Sequence, residues 1–319
     1  MRYGMFNLRV LALSVAAHMA VGQSLPDQWI AAGHWKRARA VVEARFREHP
    51  DDALANFLMS QIRNAFGDHK APLPLAEKAV ALDGRTARYH RQLAEALGVA
   101  AQHSNLVQQA LLAHRFRREI DRALALDARD VQAWRDLLEY YLLAPGIVGG
   151  DKAKARETAD RIAALDASEG WLARARIAQF KQDARQEEEM LHQACQAQPP
   201  SYRARLVLAE FYLARHNLDA AEQQARAALG LDAGRVAAYG ILASVYAARG
   251  QWNELESTLA AAETAVPDDL TPYYHAAESL LAAGRDRPRA ARYLRKYLSE
   301  EPEGNEPTAV EAKKKLAGL

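Results

Sequence analysis

Three side chains in the second half of the sequence have types and spacing that could bind a metal ion. Glu188, His192 and Cys195 stand at positions i, i+4 and i+7, so a helix would place them on one face. Carboxylate, imidazole and thiolate groups are the usual ligands of zinc. The segment also fits an ordinary helix in which Cys195 is a small buried side chain and the other two face solvent or a neighbouring helix. We favour that second interpretation, and predict no metal site and no cofactor.

Motifs that carry catalysis are absent from the sequence. It contains no G-x-S-x-G, no H-E-x-x-H and no paired C-x-x-C. Residues 149–152 place two glycines before a lysine, but the rest of a phosphate-binding loop and a preceding strand are missing. Cys195 is the only cysteine, which excludes an internal disulfide. We therefore predict that the protein is not an enzyme.

A pair of tyrosines beside a glycine-rich, apolar loop is the most suggestive local group. Tyr140 and Tyr141 precede the sequence APGIVGG, and aromatic side chains at such a loop could hold a ligand. In the alternative interpretation, Tyr141 belongs to the core and the loop packs over the preceding unit. The loop candidates are Tyr140, Pro145, Gly146, Gly149 and Gly150.

The elements that must position these residues are predicted to be helices. Residues 202–269 contain one helical pattern twice. Leu208 in the first copy corresponds to Leu242 in the second, and Tyr212 corresponds to Tyr246. In each copy the apolar residues recur at i, i+3, i+4 and i+7, which is one face of a helix. Gly250 should end the first helix, since glycine tolerates the left-handed C-terminal turn. A lone helix pair could not bury its apolar faces, whereas stacked pairs can.

The spacing of the two copies, a period of about 34 residues with small and aromatic positions, resembles the tetratricopeptide repeat family. The likeness covers nearly all of residues 26–302 and is strictest over 202–269. The resemblance implies an all-α fold, a right-handed superhelix of stacked antiparallel helix pairs, with about eight pairs over residues 23–302. It also implies a non-catalytic scaffold that binds a protein or peptide on its concave face, here of a secreted or periplasmic bacterial type.

In that family the first helix of each pair lines the concave face. The partner-binding positions implied for this chain are Arg88, Arg91, Glu95, Arg135, Glu139, Arg176, Arg203, Glu210, Ser244, Tyr274 and Glu278. The arginines among them could form bidentate, charge-assisted bonds to carboxylates of a partner. Alternatively, the concave wall is a solvated surface of mixed charge. The Lys and Asn pattern with which some of these proteins hold a terminal carboxylate is not present.

Two neighbouring units depart from the period. The second helix of the third unit is about ten residues too long for the repeat, with Ser104 as its expected N-cap, and should project from the stack. The fourth unit gains about five residues in APGIVGG, a long loop where a tight turn is usual. A small-ligand or enzyme site between these two departures is the alternative function.

Residues 1–22 have the order of a secretory signal peptide. Arg2 and Arg9 precede a short apolar run, and small residues lead to Gln23. We predict a cleaved signal and a periplasmic or secreted protein without stable membrane insertion; the alternative is an uncleaved anchor in the inner membrane. The chain has 42 basic and 40 acidic residues, so losing the two arginines leaves 40 of each, which argues against nucleic-acid binding. Residues 303–319 should form a capping helix.

Overall fold

The computed structural model describes residues 25–304 and 307–319, and the predicted signal peptide lies outside these ranges. The described residues form 17 α-helices and one short 3-10 helix, Gly146–Val148, without a strand. The α-helices are α1 (Leu25–Ala32), α2 (Trp35–Glu48), α3 (Ala53–Ala65), α4 (Pro72–Leu82), α5 (Ala87–Gln102), α6 (Leu106–Leu126), α7 (Val131–Leu143), α8 (Lys152–Leu165), α9 (Ala167–Phe180), α10 (Ala184–Gln196), α11 (Tyr202–Ala214), α12 (Leu218–Leu231), α13 (Ala237–Arg249), α14 (Trp252–Ala265), α15 (Thr271–Ala282), α16 (Arg287–Tyr297) and α17 (Ala309–Ala317).

Successive helices pair and the pairs stack, as the repeat period predicts. Each of the eight pairs from α1/α2 to α15/α16 joins a first helix to the second helix that follows it, and first helices of adjacent units also pack together, as α13 does on α15. A continuous apolar core runs from α9 to α17. The predicted all-α solenoid is confirmed. No helix in the described ranges is both long enough and apolar enough to cross a membrane.

The turn inside each regular unit uses left-handed backbone at one repeating position. Gly250 has φ +71°, which confirms its predicted role. The residues at the equivalent position of the other units, Gln182, His216 and Gly284, have φ +59°, +57° and +63°. An L-residue with a side chain is destabilised by roughly 1–2 kcal/mol in this conformation. The repeat therefore requires a left-handed residue at this turn, and two of the units have a residue other than glycine there.

The third unit contains the longest helix in the described part of the chain. Helix α6 has 21 residues, against 14 in α8, α12 and α14, which agrees with the predicted long helix. The predicted N-cap was wrong by one residue. The Asn105 side chain accepts a hydrogen bond from the Gln108 amide at 3.0 Å, whereas the Ser104 hydroxyl donates back to the Ala100 carbonyl at the end of α5. Ser104 thus closes the preceding helix instead of opening the next.

The two ends of the solenoid touch, which the sequence did not predict. The Arg37 guanidinium donates two hydrogen bonds to the Asp268 carboxylate, at 2.7 and 2.6 Å. The Glu303 carboxylate accepts a bond from the Lys36 amide in the first turn of α2, at 2.7 Å. We call this the end-to-end contact, formed by Lys36, Arg37 and Arg39 on one side and by Asp268, Glu301 and Glu303 on the other.

Candidate functional site

The charged residues predicted for the concave face form a connected row along α5, α7, α9 and α11. Arg176 on α9 holds Glu139 on α7 through two bonds, Nε to Oε1 at 2.7 Å and Nη2 to Oε2 at 2.9 Å. Arg203 on α11 donates to Glu169 Oε2 at 2.5 Å, and Arg135 Nε lies 3.7 Å from the same oxygen. Two guanidinium groups therefore share one carboxylate. We call this row the inner wall.

The row continues toward the N-terminus with the same kind of pairing. Arg88 contacts Asp27 at 3.1 Å and Arg91 contacts Asp130 at 3.2 Å. Glu95 accepts a hydrogen bond from the Asn64 amide at 3.0 Å. The arginines were expected to offer bonds to carboxylates, and each bonds a carboxylate of this chain. The inner wall in this structure is thus a surface of paired, partly exposed charges.

A hollow of about 160 Å³ opens into the inner wall between α7, α9 and α11. Arg135, Arg176 and Arg203 reach its rim, with Glu139 and Glu169 between them. The floor is apolar and is supplied by Leu138, Leu172, Ala175, Leu191 and Val207. The hollow combines cationic donors with an apolar base, an arrangement that suits a side chain of another protein better than a free ion.

Two carboxyl groups in the inner wall have raised pKa values. Burial raises the pKa of Asp136 to about 6; Arg91 opposes this shift, while the carboxyl of Glu95 adds to it. Burial also raises the pKa of Glu95, against the effect of Arg91 and of the Asn64 hydrogen bond. Both side chains are partly buried, so surrounding protein replaces part of the water around them. Their charged forms are therefore costly for the unliganded protein.

The C-terminal end of the predicted binding row is covered. Tyr274 is only 4% exposed, because it packs against Tyr297 and lies under Lys315 of α17. Glu278 accepts a bond from the Lys315 ammonium at 2.9 Å. Ser244 is buried between α13 and α15. The expectation that Tyr274 and Ser244 are open to a partner is wrong, because the adjacent helices fill this part of the concave side. Glu210 is exposed near Arg203, and local desolvation raises its pKa against the effect of that arginine.

Glu188 and His192 meet at a tyrosine instead of a metal ion. The Tyr212 hydroxyl donates to Glu188 Oε1 at 2.7 Å and lies 2.8 Å from His192 Nε2. The next unit repeats the bond at the equivalent positions, from the Tyr246 hydroxyl to Glu222 at 2.9 Å. Glu188 thus has a packing role set by the repeat. Among the described residues no group of three or more His, Cys, Asp or Glu is arranged to hold a metal ion.

The loop after α7 is fixed by its own hydrogen bonds. The Tyr140 hydroxyl donates to the Val148 carbonyl, and the Gly150 amide donates to the Pro145 carbonyl at 3.1 Å. Tyr140 stacks on Phe116 of α6 with ring centroids 5.6 Å apart, so the loop is held against the long helix. A side chain at Gly150 would meet the Ala144 carbonyl oxygen, whereas one at Gly146 would meet open space. Tyr140 and Tyr141 are both buried and act as packing residues.

Between this loop and α6 the two departures from the period enclose an open groove of about 630 Å³. Its walls come from the ends of α5 and α7, the first half of α6 and the loop. Gln102, Gln109 and Glu139 are the polar side chains in its lining, and Gln109 is already bonded to the Ser104 carbonyl. Small-ligand pockets are usually concave and mostly apolar, with a few polar groups that fix the ligand. The groove is open and mostly apolar, and a small-ligand or enzyme site at this place stays a prediction.

Sequence reasoning named Glu139 but missed the other carboxylates that pair with the inner-wall arginines, Asp27, Asp130 and Glu169. A usable signal exists for one of them. Glu169 lies one period before Arg203, and residues one period apart occupy equivalent places on adjacent first helices. Opposite charges at that spacing predict an ion pair between neighbouring units. Asp27 and Asp130 lie outside this spacing and have no comparable signal.

No family model and no curated protein matches the sequence. Solved structures match the fold. Yeast Tom70 matches over 96% of this chain and 65% of its own, with a TM-score of 0.57 and 14% sequence identity. A thermophilic TPR protein of Thermus thermophilus matches over 59% of this chain and 96% of its own, with a TM-score of 0.51 and 18% identity. The protein is thus an α-solenoid with the fold of the tetratricopeptide repeat proteins.

Proposed function

We propose that this protein is a non-catalytic scaffold that binds a segment of a partner protein or peptide on its inner wall. The observation that carries the proposal is the shared carboxylate, in which Arg135 and Arg203 both face Glu169 beside a hollow with an apolar floor. A guanidinium has five N–H donors, and the bond from Arg203 to Glu169 uses one of them. A carboxylate of the partner therefore fits between the two arginines, with an adjacent apolar side chain in the hollow.

The charge pattern supports an extended or helical segment over a small anion. Arg176 and Arg203 line the hollow together with Glu139 and Glu169, so a ligand must present both signs, or polar groups, at matching intervals. A polypeptide can do this because its side chains repeat at fixed spacing. Charges arranged in this way contribute to specificity and to the association rate more than to affinity.

Photo-crosslinking in the producing cell tests the proposal. A photoreactive phenylalanine analogue at Gln179, which lines the hollow, should form an adduct with one partner, whereas the same group at the exposed Glu189 of α10 should not. The Gln179 adduct should be lost in an Arg135→Gln, Arg203→Gln double variant. It should persist in the control Arg292→Gln, which removes an exposed arginine of α16 that is paired with Glu256.

Two results would overturn the inner-wall proposal. One is an adduct of equal yield from Glu189, which would place the partner on the second-helix side. The other is a Gln179 adduct that survives the double variant unchanged, because the arginine pair would then have no part in binding.

We also propose that the protein is exported through residues 1–22, with an anchored form as the alternative. N-terminal sequencing of the protein from the producing cell distinguishes the two. A chain that begins at Gln23 supports export with cleavage. A chain that begins at Met1 or Arg2 and sediments with membranes supports the anchor.

A further inference from the structure

The junction of the third and fourth units carries the most exposed cluster of large apolar side chains. Three of them lie on the first two turns of α6, one ends α7 and one is in the loop. Their exposed fractions are 82% for Leu106, 73% for Val107, 62% for Leu111, 62% for Leu143 and 92% for Ile147. Among the other large apolar side chains in the described part of the chain, only Val310 on α17 is as open, at 76%, and it stands alone. We call the five residues the junction patch.

The sequence around the patch carries no charge. Residues 96–114 and 140–150 contain no Asp, Glu, Lys or Arg, although these four types make up 26% of the chain. Second helices elsewhere present charges to water; α12, for example, carries Asp219, Glu222 and Arg226. Soluble monomers rarely leave a contiguous apolar surface without such charges. A surface of this composition is suited to burial against another uncharged apolar surface.

The patch is also preformed. The Tyr140 hydroxyl and the Gly150 amide hold the loop, and Asn105 caps the start of α6. Leu143 and Ile147 therefore keep fixed positions relative to Leu106. A surface that does not have to become ordered on binding loses less conformational entropy in the complex.

The shape of the patch is self-complementary. The groove of about 630 Å³ lies on one side of the α6 tip and is lined by Leu106, Leu143 and Ile147. The adjacent side of the same tip is a ridge, on which Val107 and Leu111 stand one helical turn apart. When a ridge and a groove lie next to each other on one molecule, a two-fold axis can place the ridge of each copy in the groove of the other.

We propose that two copies of this chain pair through the junction patch as a two-fold dimer, with the α6 tip of each copy seated in the groove of the other. Burying one large aliphatic side chain removes roughly 60–120 Å² of apolar surface. Ten such side chains in the two copies, together with the groove walls, reach the size of about 1,000 Å² that a specific interface requires. The chain's net charge of +2 opposes the pairing only weakly. This self-association does not depend on the inner-wall function.

Sedimentation equilibrium of the purified protein tests the dimer. We expect the mass of two chains at micromolar concentration, and the mass of one chain for Leu111→Glu and for Ile147→Glu, because each variant buries a charge in the apolar contact. The matched control is Val310→Glu, which adds the same charge at a similarly exposed apolar position on α17, outside the patch, and should stay dimeric. Circular dichroism spectra should match among the variants, since all three sites face solvent.

A second measurement reads the geometry of the pair. Cys195 is buried, so a Val107→Cys variant adds one accessible thiol per chain, near the proposed axis. Mild oxidation should link two chains through it, whereas Val310→Cys should not be linked. A monomer at tens of micromolar, or a dimer that persists in both Leu111→Glu and Ile147→Glu, would overturn the proposal.

Discussion

The units from α9 to α16 and the junction of α5 to α8 are built from similar helices but treat their apolar residues differently. In the regular units, the apolar positions that recur with the period pack against neighbouring units; Leu208 and Leu242, one period apart, are both buried in one core. At the junction, the added residues of α6 and of the loop have no equivalents in the next unit to cover them. Their apolar side chains therefore remain on the surface. In a solenoid, residues that recur with the period are buried between units, whereas inserted residues add to the exposed surface.

Truncation of one leucine in each region gives the largest expected contrast. Leu208→Ala removes a fully buried side chain and should lower the free energy of unfolding by about 2–5 kcal/mol. Leu106→Ala, at the exposed tip of α6, should change it by less than about 0.5 kcal/mol. Urea titration measures both, in a Leu111→Glu background so that association does not contribute. Equal losses would mean that the tip is packed within its own chain and that the two regions do not differ.

Removal of a carboxyl charge at the junction should give a smaller effect that depends on pH. The pKa of Asp136 is raised to about 6 in the folded protein, so the folded state holds its proton more tightly than the unfolded state does. Ionisation then costs stability as pH rises from about 4 to about 6, and the full cost is present at neutral pH. Asp136→Asn keeps the acceptor for Gln132 and should stabilise the protein at pH 7.5 by on the order of 1 kcal/mol, a value reduced for solvent screening in the open concavity.

The comparison variant for that measurement lies in the regular units. Asp219 is fully open at the start of α12, and Asp219→Asn should give no such gain. The measurement is the free energy of unfolding of each variant and of the unmodified protein at pH 4 and at pH 7.5. An Asp136→Asn advantage that is equal at both pH values would show that the charge is not its origin.

The smallest expected effect concerns the turn that the regular units share. His216 holds φ +57° at the position where the next unit has Gly250. His216→Gly should raise the free energy of unfolding by roughly 1 kcal/mol, since it relieves a left-handed conformation that side chains disfavour. Gly250→Ala should lower it by a similar amount. Thermal unfolding of the two variants measures both changes. A lower stability of His216→Gly would mean that contacts of the imidazole stabilise the protein by more than the left-handed conformation destabilises it.

Structural features that repeat in every unit could be predicted from the sequence, whereas most features that occur in a single unit could not. The repeat that relates Leu208 to Leu242 predicted the helix pairs, the core positions and the left-handed turn at Gly250. The same spacing predicted that α6 would be too long. It could not predict that Tyr140 holds the loop against Phe116, because that contact joins two insertions that have no counterpart in other units.

The inner wall, too, could be predicted from the sequence only in part. The positions of Arg135, Arg176 and Arg203 on first helices followed from the repeat, but the choice of Glu139 as the partner of Arg176 depends on the rotation between adjacent units. Small rotations of this kind follow from side-chain packing at each interface and accumulate along the stack. The end-to-end contact depends on the sum of all of them, so local sequence patterns do not determine it.

The end-to-end contact changes how the chain should unfold. A linear repeat array is stabilised by nearest neighbours alone, so its terminal helices fray first and independently. Here Arg37 and Asp268 bring together two distant parts of the sequence, and each end covers the other. We therefore expect the first and last helices to open less independently than the ends of a linear array do. The contact joins residues 231 positions apart, so forming it closes a far longer loop than any contact between neighbouring units does.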